Sequence, residues 1–265
     1  FTIWREQEMQ NNMIHKVLDN GLNIYLIEDK NKHTAIIDLI VKYGGFYSDF
    51  EVDGKKYHLN DGMAHLLEHI MFEKNCNGNF MNIYGSKQMS TNATTYPWIT
   101  EYYVDLAEDF DFALNCMLTG LSKRVFTEED LLEIKPPIYQ EIRMRDDQVP
   151  RRAFYARMKN LFKEYSYISG LGSIKDVEGF TYEQVSLCFD TFYNPKNEIL
   201  IIAGNFDAEE TLEKIENIYK ELTFEDHDSK FIKVNEPKEV NKKYEIIEMP
   251  VAKDYIDISY KIDFS

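Results

Sequence analysis

The chain predicts an α+β fold, a largely antiparallel sheet covered by helices, on three observations. Short segments rich in Val, Ile, Thr and Tyr, at 22–28, 34–43, 90–96, 100–106 and 198–203, carry the alternation or compact apolar runs of strands. Apolar residues recur at helical spacing at 109–123, 181–192 and 208–222. Strands and helices in this order suggest helices layered on an antiparallel sheet.

Taken in order, Asn20-Gly21 is a turn signal, and the runs 22–28 and 34–43 flank Lys30-Asn31-Lys32 as an expected antiparallel hairpin ended by Gly44-Gly45. A polar stretch, 49–60, leads to a helix whose first turn Asn60 or Asp61 is placed to cap. Segments 90–96 and 100–106 read as strands joined near Pro97. Phe112, Leu114, Met117, Leu118 and Leu121 give 109–123 its apolar face, and Thr127 with Asp130 resembles a capped start of the next helix. Pro136-Pro137 lack amide hydrogens, so a break is expected there, with a helix restarting and Glu141 about one turn further in. A helical run at 151–165, a bend at Gly170-Leu171-Gly172 and a helix at 181–192 closed by Asn194-Pro195 follow. Beyond strand 198–203, Gly204-Asn205 turns the chain into helix 208–222. Residues 224–243 read as a charged linker, and 244–249 and 255–262 as two further strands.

With 30 basic against 46 acidic residues the net charge is −16, which argues against a nucleic-acid partner. No apolar run approaches the roughly 20 residues of a membrane-spanning helix. Cys76, Cys116 and Cys188 are odd in number and lack Cys-x-x-Cys spacing, so neither a disulfide framework nor a cysteine zinc cage is expected. A reducing, cytoplasmic setting fits this usage. The amino end, Phe1-Thr2-Ile3-Trp4, reads as a trimmed start.

The chemistry concentrates in His65-Leu66-Leu67-Glu68-His69. On a helix, residues three and four apart share a face, so His65 and His69 can present ring nitrogens to one ion with Glu68 beside them as a base for water. This is the inverted zincin spacing. A catalytic zinc usually takes three protein ligands, and Glu141, in the helical run 138–144, is the candidate for the third. His15, His33, His58 and His227 lie in contexts that compete poorly. The competing reading is a buried helix that happens to carry two surface histidines and no metal.

Further motifs carry a resemblance over nearly the whole chain. Asn20-Gly21-Leu22, Asp61-Gly62-Met63-Ala64 before the pentapeptide and Phe72-Glu73 after it, Asn92-Ala93-Thr94 with Thr100-Glu101-Tyr102, Gln140-Glu141-Ile142-Arg143-Met144, Phe192-Tyr193-Asn194-Pro195 and Ala203-Gly204-Asn205-Phe206 resemble the amino-terminal half of a small bacterial pitrilysin-type zinc peptidase. That is the family of insulin-degrading enzyme and mitochondrial processing peptidase. The resemblance implies zinc held by His65, His69 and Glu141, with Glu68 as general base. It also implies an edge strand at Asn92, Ala93 and Thr94 to which an extended peptide substrate adds. It divides the chain into a zinc-binding peptidase domain at 1–223, the linker at 224–243, and the first strands of a second similar half at 244–265. A second half, in cis or from a partner subunit, is expected to complete the enzyme.

Two departures stand out. Family members commonly carry a further glutamate two turns before the third ligand, where this chain has Ile134 with Glu133 beside it. The arginine and tyrosine pair that the far half of such enzymes contributes is also not expected among these residues, which reach only the first strands of that half. The alternative function is therefore a non-catalytic, peptide-binding scaffold subunit of the same family.

Overall fold

In the computed structural model the described residues are 13–75, 78–164, 170–233 and 235–262, which leaves Cys76 outside them. The central sheet is built from β1 (Met13–Val17), β2 (Asn23–Glu28), β3 (Ala35–Val41), β6 (Ser90–Thr95), β7 (Thr100–Leu106) and β8 (Glu198–Gly204), in the order β1-β2-β8-β3-β7-β6. Only the β2–β8 pair is parallel. The expected α+β class therefore describes the molecule.

The hairpin expected between 22–28 and 34–43 does not form, because β8 inserts between β2 and β3 and pairs with both. Its apolar core Ile199-Leu200-Ile201-Ile202 is suited to a central strand with a neighbour on each edge. Residues 49–60, read as polar and irregular, contain β4 (Asp49–Val52) and β5 (Lys55–His58), which join β9 (Ser229–Phe231) in a second sheet of order β5-β4-β9. The signal lay in Asp53-Gly54, where both residues adopt positive φ, 51° and 79°, as a tight hairpin turn of the primed type requires. The charged segment after residue 223 is thereby tied down at β9, where Phe231 stacks on Tyr47.

One face of the large sheet supplies Ile24, Leu26, Ile37, Leu39, Tyr102, Val104, Leu200 and Ile202 to the core. Each such side chain contributes about 1.5 to 3 kcal/mol on burial. Helices cover this face: α1 (Met63–Glu73) against β6 and β7, α2 (Phe80–Gly85) against β6, and α3 (Phe110–Ser122) against β3 and β7. Next come α4 (Glu128–Asp146), α5 (Val149–Leu161), α6 (Ile174–Gly179), α7 (Tyr182–Phe192) and α8 (Ala208–Lys220).

Helix α4 begins with the anticipated capping box between Thr127 and Asp130. The break expected at Pro136-Pro137 is absent, and the helix runs through both prolines. The carbonyls deprived of an amide partner belong to Leu132 and Glu133, both exposed, so water can take those bonds. Strands expected at 244–249 and 255–262 are also absent. That segment pairs with no described strand and leaves Ile246, Ile256, Ile258 and Tyr260 exposed, and a strand without a ladder has nothing to hold it.

Glu198, the first residue of β8, is fully buried, with Oε2 accepting from the Tyr219 hydroxyl at 3.4 Å and Oε1 without a hydrogen-bond partner among the described residues. Burial pushes its carboxyl from 4.5 up to about 8, although the Tyr219 bond opposes this. Between those values the folded protein keeps a proton that the unfolded chain has released, so stability falls as pH rises through the window. The expected decline is up to about 1.4 kcal/mol per pH unit, levelling above pH 8. Denaturant midpoints at pH 5, 6.5 and 8 for wild type and Glu198→Gln check this. The slope is expected to flatten in the variant.

Candidate metal centre

The site is built on α1, a helix enclosed on most sides, with Met63, Leu66, Leu67, Ile70 and Met71 buried. Its start departs from the expected cap. Gly62 occupies the N-cap at φ 97° with no side-chain cap, and Asp61 instead accepts from Ser48 Oγ at 3.2 Å. A Cβ on Gly62 would lie 2.3 Å from the Leu171 carbonyl oxygen, and one on Gly172 would lie 2.1 Å from the Asp61 carbonyl oxygen. The bend at 170–172 thus presses backbone to backbone on the helix entrance and fixes where the motif begins.

One turn in, His65 and His69 stand side by side, ring centroids 4.6 Å apart. Glu141, on the neighbouring α4, brings Oε2 to 3.4 Å from His65 Nε2 and 3.3 Å from His69 Nε2. For ligand bonds of about 2.0 to 2.1 Å in a tetrahedral set, adjacent donor atoms are separated by about 3.3 Å. The two separations from Glu141 Oε2 to the histidine nitrogens therefore match the spacing of donors around a single zinc ion. The donor chemistry, two imidazoles and a carboxylate, also suits zinc. Glu68 and His65 are buried and His69 and Glu141 partly so, and the donor atoms of His65, Glu68 and His69 lie within 4.8 Å of one another.

Neighbouring groups hold these side chains unequally. His69 Nδ1 is 2.9 Å from Glu73 Oε1, an arrangement that points Nε2 at Glu141. Burial works against charge on this ring, but the bonds to Glu141 and Glu73 prevail and raise it to about 9. Burial likewise opposes ionisation of Glu141, yet the two histidines and Arg145 hold its carboxyl far below the usual carboxylate range. His65 Nδ1 has no such support, being buried without a hydrogen-bond partner among the described residues. Glu133 does not reach it, since its carboxylate binds Lys74 Nζ at 2.6 Å, and Ile134 is buried in the core.

Strand β6 is the end strand of the large sheet and pairs only with β7. It places Asn92 exposed, Ala93 buried and Thr94 between the two, with one strand edge open to a further chain among the described residues. The same strand touches the motif, because Thr95 Oγ1 donates to Glu68 Oε2 at 2.7 Å. The structure thus brings His65, Glu68, His69 and Glu141 together and sets the Asn92–Thr94 stretch on the adjoining edge. Sequence reading assigned no role to Glu73, Arg145 or Thr95. Glu73 and Arg145 were legible as i+4 partners of His69 and Glu141. Thr95 was not, because its contact with Glu68 is tertiary.

Residues 23–172 match the family described as Insulinase (Peptidase family M16), and 179–263 match the Peptidase M16 inactive domain. The uncharacterized zinc protease YmfH of Bacillus subtilis (strain 168) is 29% identical over 249 residues, covering 92% of this chain and 58% of its own length. Zinc protease PqqE of Helicobacter pylori is 25% identical over 256 residues, covering 92% of this chain and 55% of its own. The crystal structure of a putative M16-like peptidase from Alicyclobacillus acidocaldarius superposes with a TM-score of 0.83 at 29% identity, covering 87% of this chain and 55% of that one. The chain spans little more than half the length of these relatives.

Proposed function

On the premise that the chain belongs to the M16 peptidase family, we propose that it is the metal-bearing half of a zinc endopeptidase acting on oligopeptides or unfolded segments. The observation that carries this reading is the convergence of His65 Nε2, His69 Nε2 and Glu141 Oε2 at 3.3 and 3.4 Å. These residues would hold the ion. Zinc, when bound, acidifies water and polarises a peptide carbonyl. Glu68 takes the proton of the attacking water and returns it to the leaving amine. Thr95 occupies Glu68 Oε2, which leaves Oε1 for the proton transfer. An extended substrate adds to the open edge of β6 at Asn92, Ala93 and Thr94 through main-chain bonds.

A second, homologous half, in cis or from a partner subunit, closes over the substrate. The fold likeness to the first half of the periplasmic protease PqqL of Escherichia coli, with a TM-score of 0.67, supports this division. The cysteine usage supports a cytoplasmic location.

The unsupported His65 Nδ1 favours one other reading, a scaffold subunit that keeps the fold without the metal. Metal analysis after dialysis against trace zinc separates the two. The enzyme reading expects about one zinc per chain, lost in His69→Ala and in Glu141→Ala. Protein that retains none sinks it in favour of the scaffold.

A further inference from the structure

We propose that Arg145 is a positioning residue that sets how Glu141 meets the metal, holding Oε1 so that Oε2 alone faces the two histidines. This rests on the zinc reading above.

A carboxylate can bind zinc through one oxygen or both, and the terminal torsion of a glutamate is broad and two-fold, so the backbone of α4 does not choose between them. The Arg145 side chain makes the choice. It lies one turn beyond Glu141, and helical side chains lean toward the amino end, which brings its guanidinium back over the turn that carries Glu141. Its Nη2 forms an ion pair with Glu141 Oε1. The pair is partly shielded, with side chains 30% and 19% exposed. Oε2 is left almost equidistant from the two Nε2 atoms, at 3.3 and 3.4 Å. Arg145 and Glu73 together orient two ligands, whereas His65 is held by packing.

The sign of the effect separates positioning from simple charge. A guanidinium near a divalent cation repels it, so on electrostatics alone removing Arg145 strengthens zinc binding. If Arg145 acts by holding Oε1, removing it weakens binding. Losing a group that orients a metal ligand costs on the order of 10-fold to 100-fold in metal affinity.

The experiment compares wild type, Arg145→Gln and Arg145→Lys in zinc competition against a chromophoric chelator at one pH, with thermal unfolding confirming the fold. The visible spectrum of each protein loaded with cobalt(II) is recorded in parallel. Arg145→Gln is expected to bind zinc about 10-fold to 100-fold more weakly. Its cobalt band is expected to be less intense, because a freed second oxygen raises the coordination number. Arg145→Lys, which keeps a charged, long-reaching donor for Oε1 that the shorter, neutral Gln amide lacks, is expected to recover part of both. A Gln variant that binds zinc as tightly as wild type or more tightly, or that keeps the wild-type cobalt band, overturns the assignment while leaving the zinc centre intact. A wild-type protein that binds no zinc overturns both.

Discussion

Glu68→Gln leaves the zinc content unchanged and cuts peptide hydrolysis by about 10²- to 10⁴-fold, the usual worth of general acid–base catalysis. The two halves of this expectation come from different atoms. The amide is nearly isosteric and its oxygen still accepts from Thr95 Oγ1, the 2.7 Å contact seen here, so the side chain keeps its place between helix and edge strand. His65, His69 and Glu141 are untouched, so zinc remains. What is lost is the capacity to take a proton. The measurement pairs metal stoichiometry with cleavage of a quenched fluorescent peptide, using the protein together with its homologous second half. Equal rates for wild type and variant would refute a base role for Glu68. Lost zinc would assign Glu68 to the metal site instead.

Gly172→Ala is expected to be the most damaging single methyl in the described structure. Its φ of +70° already disfavours a side chain, and the added Cβ would sit 2.1 Å from the Asp61 carbonyl oxygen, a backbone atom that cannot swing away. The expected loss is about 3 kcal/mol or more. That corresponds to a fall in melting temperature on the order of 6 to 12 °C for a domain of this size. Gly54→Ala is the internal control, since Gly54 has φ +79° but nothing within 4 Å of the new atom. It should lose only about 1 to 2 kcal/mol from the backbone conformation. Should the two variants melt together, the close approach of the bend to the helix entrance contributes nothing.

Local chemistry made much of this molecule legible. Alternating runs marked β2, β3, β6 and β7, the Thr127–Asp130 box marked the start of α4, and the pentapeptide marked the helix that bears the site. Wherever the answer depended on which segments meet, the sequence alone was insufficient. The run at 198–203 was recognisable as a strand, but nothing local says that it lies between β2 and β3. Pro136-Pro137 looked like a break because a helix in isolation has no compensation, whereas α4 is held by buried Leu131, Ile134, Ile138 and Ile142. The Asp53-Gly54 turn was visible but outweighed by the polarity around it. At the site, Glu141 was within reach of sequence reasoning. That Glu133 points to Lys74, and that His65 Nδ1 is left alone, needed the packing of α1 against α4.

The place of β8 has a consequence for the order in which the molecule is made. β2 and β3 emerge early during synthesis, yet they never pair with each other and must wait for a strand some 160 residues downstream of β3. Until residues 198–204 leave the ribosome, both strands present an unpaired apolar edge, and the sheet behind α1 is split in two. The motif helix packs on β6, β7 and α4, all of which precede the middle strand, so the part of the sheet formed by β3, β7 and β6 offers His65, Glu68, His69 and Glu141 a platform while β1 and β2 still wait. The arrival of β8 joins the two parts of the sheet rather than assembling the candidate site.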